Sequence, residues 1–232
     1  MVSPERDGDI TLVTVTPVTL VRMTRTADRP AQGEALSRAV WDVLAQQGLE
    51  KLTVRAVAAA AGCTTGLVMH RFPNRRALLL HARELLHEKS RARVDALEAD
   101  AASPREALRA VLHRGLATDP ETVTDSVVWV GFLAAAVSDD ELIAMHRRHN
   151  RSWRERVERL VATAAPEWPR ERVEPVALGL IAMAEGVAAF AAADPSHYPA
   201  AEQERMLDAA LTSYGLGISG DFVERLGQRV EV

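Results

Sequence analysis

Leu52 to Leu79 read LTVRAVAAAAGCTTGLVMHRFPNRRALL. Thr53 stands just before the apolar positions Val54, Val57, Ala58 and Ala61. That is the place of a helix N-cap, whose side-chain oxygen takes up an orphan backbone N–H. Gly62 stops the helix, because glycine reaches the left-handed conformation of a helix end without a Cβ clash. Thr64 or Thr65 then opens a short helix that runs to about Arg71, and Phe72-Pro73 ends it. Asn74 caps a third helix beginning Arg75-Arg76-Ala77-Leu78. Two short helices joined by a tight glycine turn form the helix-turn-helix pattern. The second is expected to present Thr64, Thr65, Gly66, Met69, His70 and Arg71 on one side, with Leu67, Val68 and Phe72 toward the core.

On these residues the stretch resembles the DNA-binding domain of TetR-type transcriptional regulators. The family's pattern runs approximately L-T-v-x-x-I/V-A-x-x-A-G-v-s-x-G-x-l-Y-x-h-F-x-s-K-x-x-L. It is met here by Leu52, Thr53, Val57, Ala58, Ala61, Gly62, Thr64, Gly66, Val68, Phe72 and Leu78. Two positions depart from it. Met69 stands where the recognition helix usually has a tyrosine, which removes a polar backbone contact, and Arg75 replaces a lysine while keeping its charge. The motif extends from Leu36 to about Leu80, and beyond it the helices resemble the family only in number and order.

The resemblance implies an all-α chain with an N-terminal three-helix helix-turn-helix DNA-binding head and a C-terminal helical ligand-binding and dimerisation body. It implies that Thr53, Thr64, Thr65, Gly66, Met69, His70 and Arg75 contact double-stranded operator DNA. The residue chemistry points the same way. A helix entering the major groove needs small or polar groups at its N-terminal end. His70 and Arg71 can reach phosphate, and Arg75 lies at a helix start where free N–H groups favour an anion. The plainer alternative for Thr53 and Thr64 is that they only cap helices, and the two roles are compatible.

Charge supports a head and a body. The chain is 232 residues long with net charge −4, yet Arg25 to Arg93 holds 12 Lys/Arg against 6 Asp/Glu. A basic N-terminal third on an acidic remainder is the footprint of a DNA-binding head, or else a solvated surface. One cysteine, Cys63, excludes a disulfide framework and a thiolate metal cluster, and suits a reducing cytoplasm. No apolar run is expected to reach the roughly 20 residues of a membrane span, so no membrane partner is expected.

Taken in order, residues 1–30 read as a tail, 31–76 as the head, 77–217 as the effector-binding and dimerisation body, and 218–232 as a second tail. Within the first tail, Arg22, Arg25 and Arg29 offer an alternative reading as a basic arm. Translation from Met23 is another alternative for the same segment. The first helix is expected over about Ala31 to Gln47 and the fourth over Arg75 to about Ala99. Ser103-Pro104-Arg105-Glu106 and Ser138-Asp139-Asp140-Glu141 read as capping boxes, with a further helix starting at Asp119-Pro120-Glu121. An apolar helix is expected from Pro175 to Ala193 and a last one from Ala200 to Tyr214, making nine.

The last two helices of each subunit are expected to join in a four-helix homodimer contact, as the resemblance implies. It also implies an effector pocket in the body. Trp129, Phe132, Met145, His149, Trp153 and Met183 are the candidates, set against plain core packing. Only 4% of the chain is aromatic, so an apolar aromatic pocket for a lipophilic or planar effector is the expectation. Glu185 inside the apolar helix could pair with an arginine across the dimer, serve a local network or meet a cationic ligand, and the resemblance favours a structural role. His146 and His149, one turn apart within the cationic run MHRRHNR, read as a solvated face and not as a metal pair. No cofactor or metal is expected.

Two functions from other classes compete with a ligand-responsive homodimeric repressor on a palindromic operator. One is an architectural DNA-binding protein, or an activator, without effector. The other is a helical-bundle enzyme, which no nucleophile elbow, phosphate loop or paired carboxylate–histidine set supports.

Overall fold

In a computed structural model, residues 29–218 are described, and the expectations for the two tails lie outside them apart from positions 29–30 and 218. The described residues form helices only: α1 (Arg29–Gln47), a 3-10 turn (Leu49–Lys51), α2 (Val54–Ala60), α3 (Thr65–Arg71), α4 (Arg75–Asp100), α5 (Pro104–His113), α6 (Pro120–Ala136), α7 (Asp140–Ala164), α8 (Arg170–Ala193) and α9 (Ala200–Ser213).

Local capping sets the head. Thr53, Thr64 and Asn74 each accept a hydrogen bond from the backbone N–H three residues on, at Ala56, Leu67 and Ala77. Gly48 (φ 78°) and Gly62 (φ 61°) make the left-handed turns that end α1 and α2. Val57, Val68 and Phe72 are buried together with Leu36, Val40 and Val43 of α1, while Leu67 is only half-buried. Ser37 Oγ and His81 Nε2, 2.8 Å apart, tie α1 to α4.

Three helix starts differ in detail from the sequence reading. The cap of α7 is Asp139 and not Ser138: its carboxylate accepts from Glu141 N and Leu142 N, whereas the Ser138 hydroxyl donates to the Ala135 carbonyl. At α5, Ser103 caps as expected, but Glu106 reaches back to the Ala102 N–H instead of the Ser103 N–H. Helix α8 starts at Arg170, with Pro175 inside it. Proline this near a helix start removes only one backbone donor close to those already lacking intrahelical partners.

Two large hydrophobic clusters hold the molecule, with a small third one at Ala117, Ala188 and Ala191. The larger one fills the body between α5, α7, α8 and α9. The other begins in the head and continues into the body through Val128, Phe132 and Ala136 of α6 and Leu142 of α7. Gly131 on α6 lets the 3-10 turn come close, since a Cβ there would stand 3.3 Å from the Leu49 Cβ. By length and composition α8 is long and apolar enough to cross a membrane, which corrects the expectation that no run is. Here Val176, Ala177, Leu180, Ala184 and Val187 are buried in the body core.

Candidate functional site

The residues expected to meet DNA lie at one end of the molecule, and all are exposed: Thr53, Thr64, Thr65, Gly66, Met69, His70, Arg71 and Arg75. They are carried by the N-termini of α2 and α4 and by α3. Met69 is 53% exposed, a large apolar side chain with no place in the core. A Cβ at Gly66 would meet nothing closer than Thr64 Oγ1 at 3.9 Å, so the fold itself does not require glycine there. Arg75 donates to the Leu49 carbonyl at 3.2 Å, which holds its stem over the start of α4. Cys63 is half-buried in the preceding turn, and burial pushes its thiol up, against the thiolate a redox sensor uses.

The body holds a partly open cavity of about 490 Å³ between α4, α5, α6, α7 and α8. Of the six candidates, Trp129, His149 and Trp153 line it. Phe132 is buried in the cluster shared with the head, Met145 packs against that same cluster, and Met183 packs on the body core. None of these three lines the cavity.

The wall is more polar than an apolar aromatic pocket. Arg83, His87, Arg114, Asp125 and Glu185 stand in it beside Leu86, Val94, Val111 and Ile181. The expectation of an apolar aromatic lining left these polar groups out. It rested on counting large apolar residues, whereas the polar residues of the wall lie on helices far apart in sequence.

Arg83 gave one local signal, which the sequence reading passed over. It lies four residues after Leu79 and three before Leu86, on the core-facing stripe of α4. Its guanidinium rests 5.1 Å from the Trp129 ring and 5.6 Å from that of Phe132. Burial lowers its pKa to about 10, against the pull of Glu84 and Glu185. Burial likewise raises the Glu185 carboxyl, with Arg83 opposing.

His149 is also corrected, because it is 5% exposed and so part of no solvated face. Its ring stacks on His87 at 4.0 Å, and Nε2 lies 3.2 Å from Glu84. Burial first, then Arg83 and His87, bring its pKa down to about 4. His146 is half-buried beside Trp129, with ring centroids 5.2 Å apart. Leu142, His149 and Val157 share a helical stripe, so the histidines turn inward while Arg147, Arg148 and Arg151 point to solvent. Among the described residues no three His, Cys, Asp or Glu side chains gather as a metal site.

Comparison with known proteins assigns both halves. Residues 38–89 match the family of bacterial regulatory proteins of the tetR type, and residues 104–215 match the C-terminal family of BetI-type transcriptional repressors. The chain is 30% identical over 164 residues to the HTH-type transcriptional regulator BetI of Stenotrophomonas maltophilia, covering 68% of this chain and 80% of that one. It is 28% identical over 114 residues to the regulator PksA of Bacillus subtilis, an alignment spanning 56% of that protein.

A crystal structure of a transcriptional regulator from Rhodococcus superposes with TM-score 0.70 at 28% identity, covering 78% of this chain and 94% of that one. A regulator from Saccharomonospora viridis, solved in complex with choline, has the same fold at TM-score 0.72 and 15% identity, over 78% and 95% of the two chains. These families are DNA-binding transcriptional regulators and not enzymes. With a relative at that identity and coverage, and with the head and body each matched, the chain belongs to the TetR family of transcriptional regulators.

Proposed function

We propose that this chain is a cytoplasmic, ligand-responsive repressor that binds a near-palindromic operator as a homodimer and is released by a small molecule held in the body cavity. The observation that carries this reading is the course of α4. The helix begins with Arg75 on the DNA-facing end and passes Arg83, His87 and Val94 in the cavity wall. A ligand that prefers one setting of α4 over another would shift the position of the head, and only such a differential preference can do so.

Dimerisation through α8 and α9 is supported by exposed apolar side chains on α8. Leu178 and Phe190 of α8 are 54% and 61% exposed, with the small Ala182 exposed between them. Small residues allow the close helix approach that a four-helix contact needs. Two heads would read half-sites roughly 34–36 Å apart or a small multiple of it.

The test is a footprint of the purified protein on DNA upstream of its own gene over a series of salt concentrations. A protected near-palindrome whose affinity falls steeply with salt is expected. Weak protection with no preferred site would defeat the reading.

A further inference from the structure

Buried charges in proteins are normally paired or neutralised. Most cations of the cavity wall obey this. Arg114 is answered by Asp125, Arg91 by Asp95, and Arg156 by Asp95 and Glu98. Arg83 is different. It is 7% exposed, and it makes no hydrogen bond or ion pair with any described residue. Its Nε is fully enclosed and without a partner. The faces of Trp129 and Phe132 stand beside its guanidinium. Glu185 shares the cavity wall without forming an ion pair with Arg83. Arg83 therefore lines the cavity without an ion-pair partner, with Glu84 and Glu185 acting on its charge only from beyond contact distance.

Taking the cavity as the effector site, as above, we propose that the effector is an organic monocarboxylate, clamped through its carboxylate by Arg83. The planar fork of arginine matches a carboxylate in bidentate fashion. The rest of the ligand meets the Trp129 and Trp153 rings, Val111 and Ile181, so its body is apolar or aromatic. Glu185 in the same wall disfavours a second anionic group, which sets monocarboxylates above dicarboxylates and phosphate esters. The anchor sits on α4, the helix that also begins the DNA-facing end, so the charge that is answered belongs to the element that would move.

The experiment is calorimetric titration of the full chain with benzoate, indole-3-acetate and octanoate. Their neutral amides and choline serve as comparators. At least one acid should bind, and its amide should bind about tenfold to hundredfold more weakly. Arg83→Met keeps the length of the side chain without the charge. It should lose a similar factor for the acid while raising the thermal midpoint of the ligand-free protein, because a buried charge without an ion-pair partner is gone. Arg83→Lys should recover part of the affinity.

Acids that bind no better than their amides, acids that bind Arg83→Met undiminished, or choline bound with none of the acids would each overturn the proposal. If Arg83→Met does not fold, the acid-to-amide comparison on the unmodified chain and Arg83→Lys still decide. The effector reading fails separately: a bound acid that leaves the operator footprint unchanged keeps the anion site and removes its regulatory role. Choline that releases the operator does the reverse.

Discussion

Arg76, in the first turn of α4, grips Asp139, the N-cap of α7, with two guanidinium nitrogens: Nε to Oδ2 at 2.8 Å and Nη2 to Oδ1 at 2.7 Å. Glu141 adds a second carboxylate at 3.4 Å. The Arg76 guanidinium holds the Asp139 carboxyl below the usual range, and the N–H groups it caps add to that. The pair sits where the head joins the body, on two elements that both approach the cavity further along.

Arg76→Ala and Asp139→Asn should each weaken operator binding about fivefold, and the double variant should be no weaker than either single one. Asparagine keeps the cap, so the Asp139 variant isolates the ion pair from the helix start. Fluorescence anisotropy on a labelled operator measures this. Strictly additive losses would mean the two residues act apart.

Gly66→Ala should separate folding from DNA binding. Nothing in the protein crowds a methyl group there, and alanine favours helix over glycine by up to ~1 kcal/mol. The thermal midpoint should stay level or rise, while operator affinity falls about tenfold as the backbone is held off the groove. Unchanged affinity would remove Gly66 from the DNA-facing set.

Acid should destabilise the protein through His149. The unfolded chain takes up a proton near the ordinary pKa of 6.5, whereas the folded chain refuses it until about 4. The unfolded state binds more protons in that window, so stability rises with pH there and is lost as pH falls from 6.5 toward 4. His149→Gln should flatten that pH dependence, measured by urea unfolding near pH 5 and near pH 7.5. His81, His87 and His146, lowered chiefly by burial, supply the remainder. An identical pH slope in the variant would show that His149 does not titrate with folding.

Gly131→Val should destabilise by about 1–3 kcal/mol, because its side chain must displace Leu49. Leu49→Ala in the same chain should restore part of that loss. Denaturant midpoints of the two singles and the double decide it, and an absence of rescue would mean the strain lies elsewhere.

Leu178→Glu should yield a monomer in sedimentation experiments at micromolar concentration and abolish protection of one half-site by the other. A dimer that persists would move the interface off α8.

The head was readable in the sequence because its signals are local. Thr53, Thr64 and Asn74 cap helices through residues three positions away, and Gly62 supplies its own positive φ. The body was readable in its elements but not in its contents. Ser138 and Asp139 are equally good caps on paper, and only the geometry of the turn selects Asp139. Pro175 looked like a start because a proline usually is one. His149 carried the appearance of its arginine neighbours, and Arg83 that of any surface cation. Which side each faces depends on helices distant in sequence, and so does the cavity, which exists where five helices do not close completely.

The hydrophobic cluster that begins in the head ends on Val128, Phe132, Ala136 and Leu142. Regulators of this kind invite modular engineering, in which one protein's reading head is grafted onto another's sensing body. In this chain such a graft cut at α4 would leave the transplanted head on a foreign floor. Its recognition helix would inherit a misfit from residues that never approach DNA. A working chimera would have to carry those four body positions, and Gly131 with them, as part of the head.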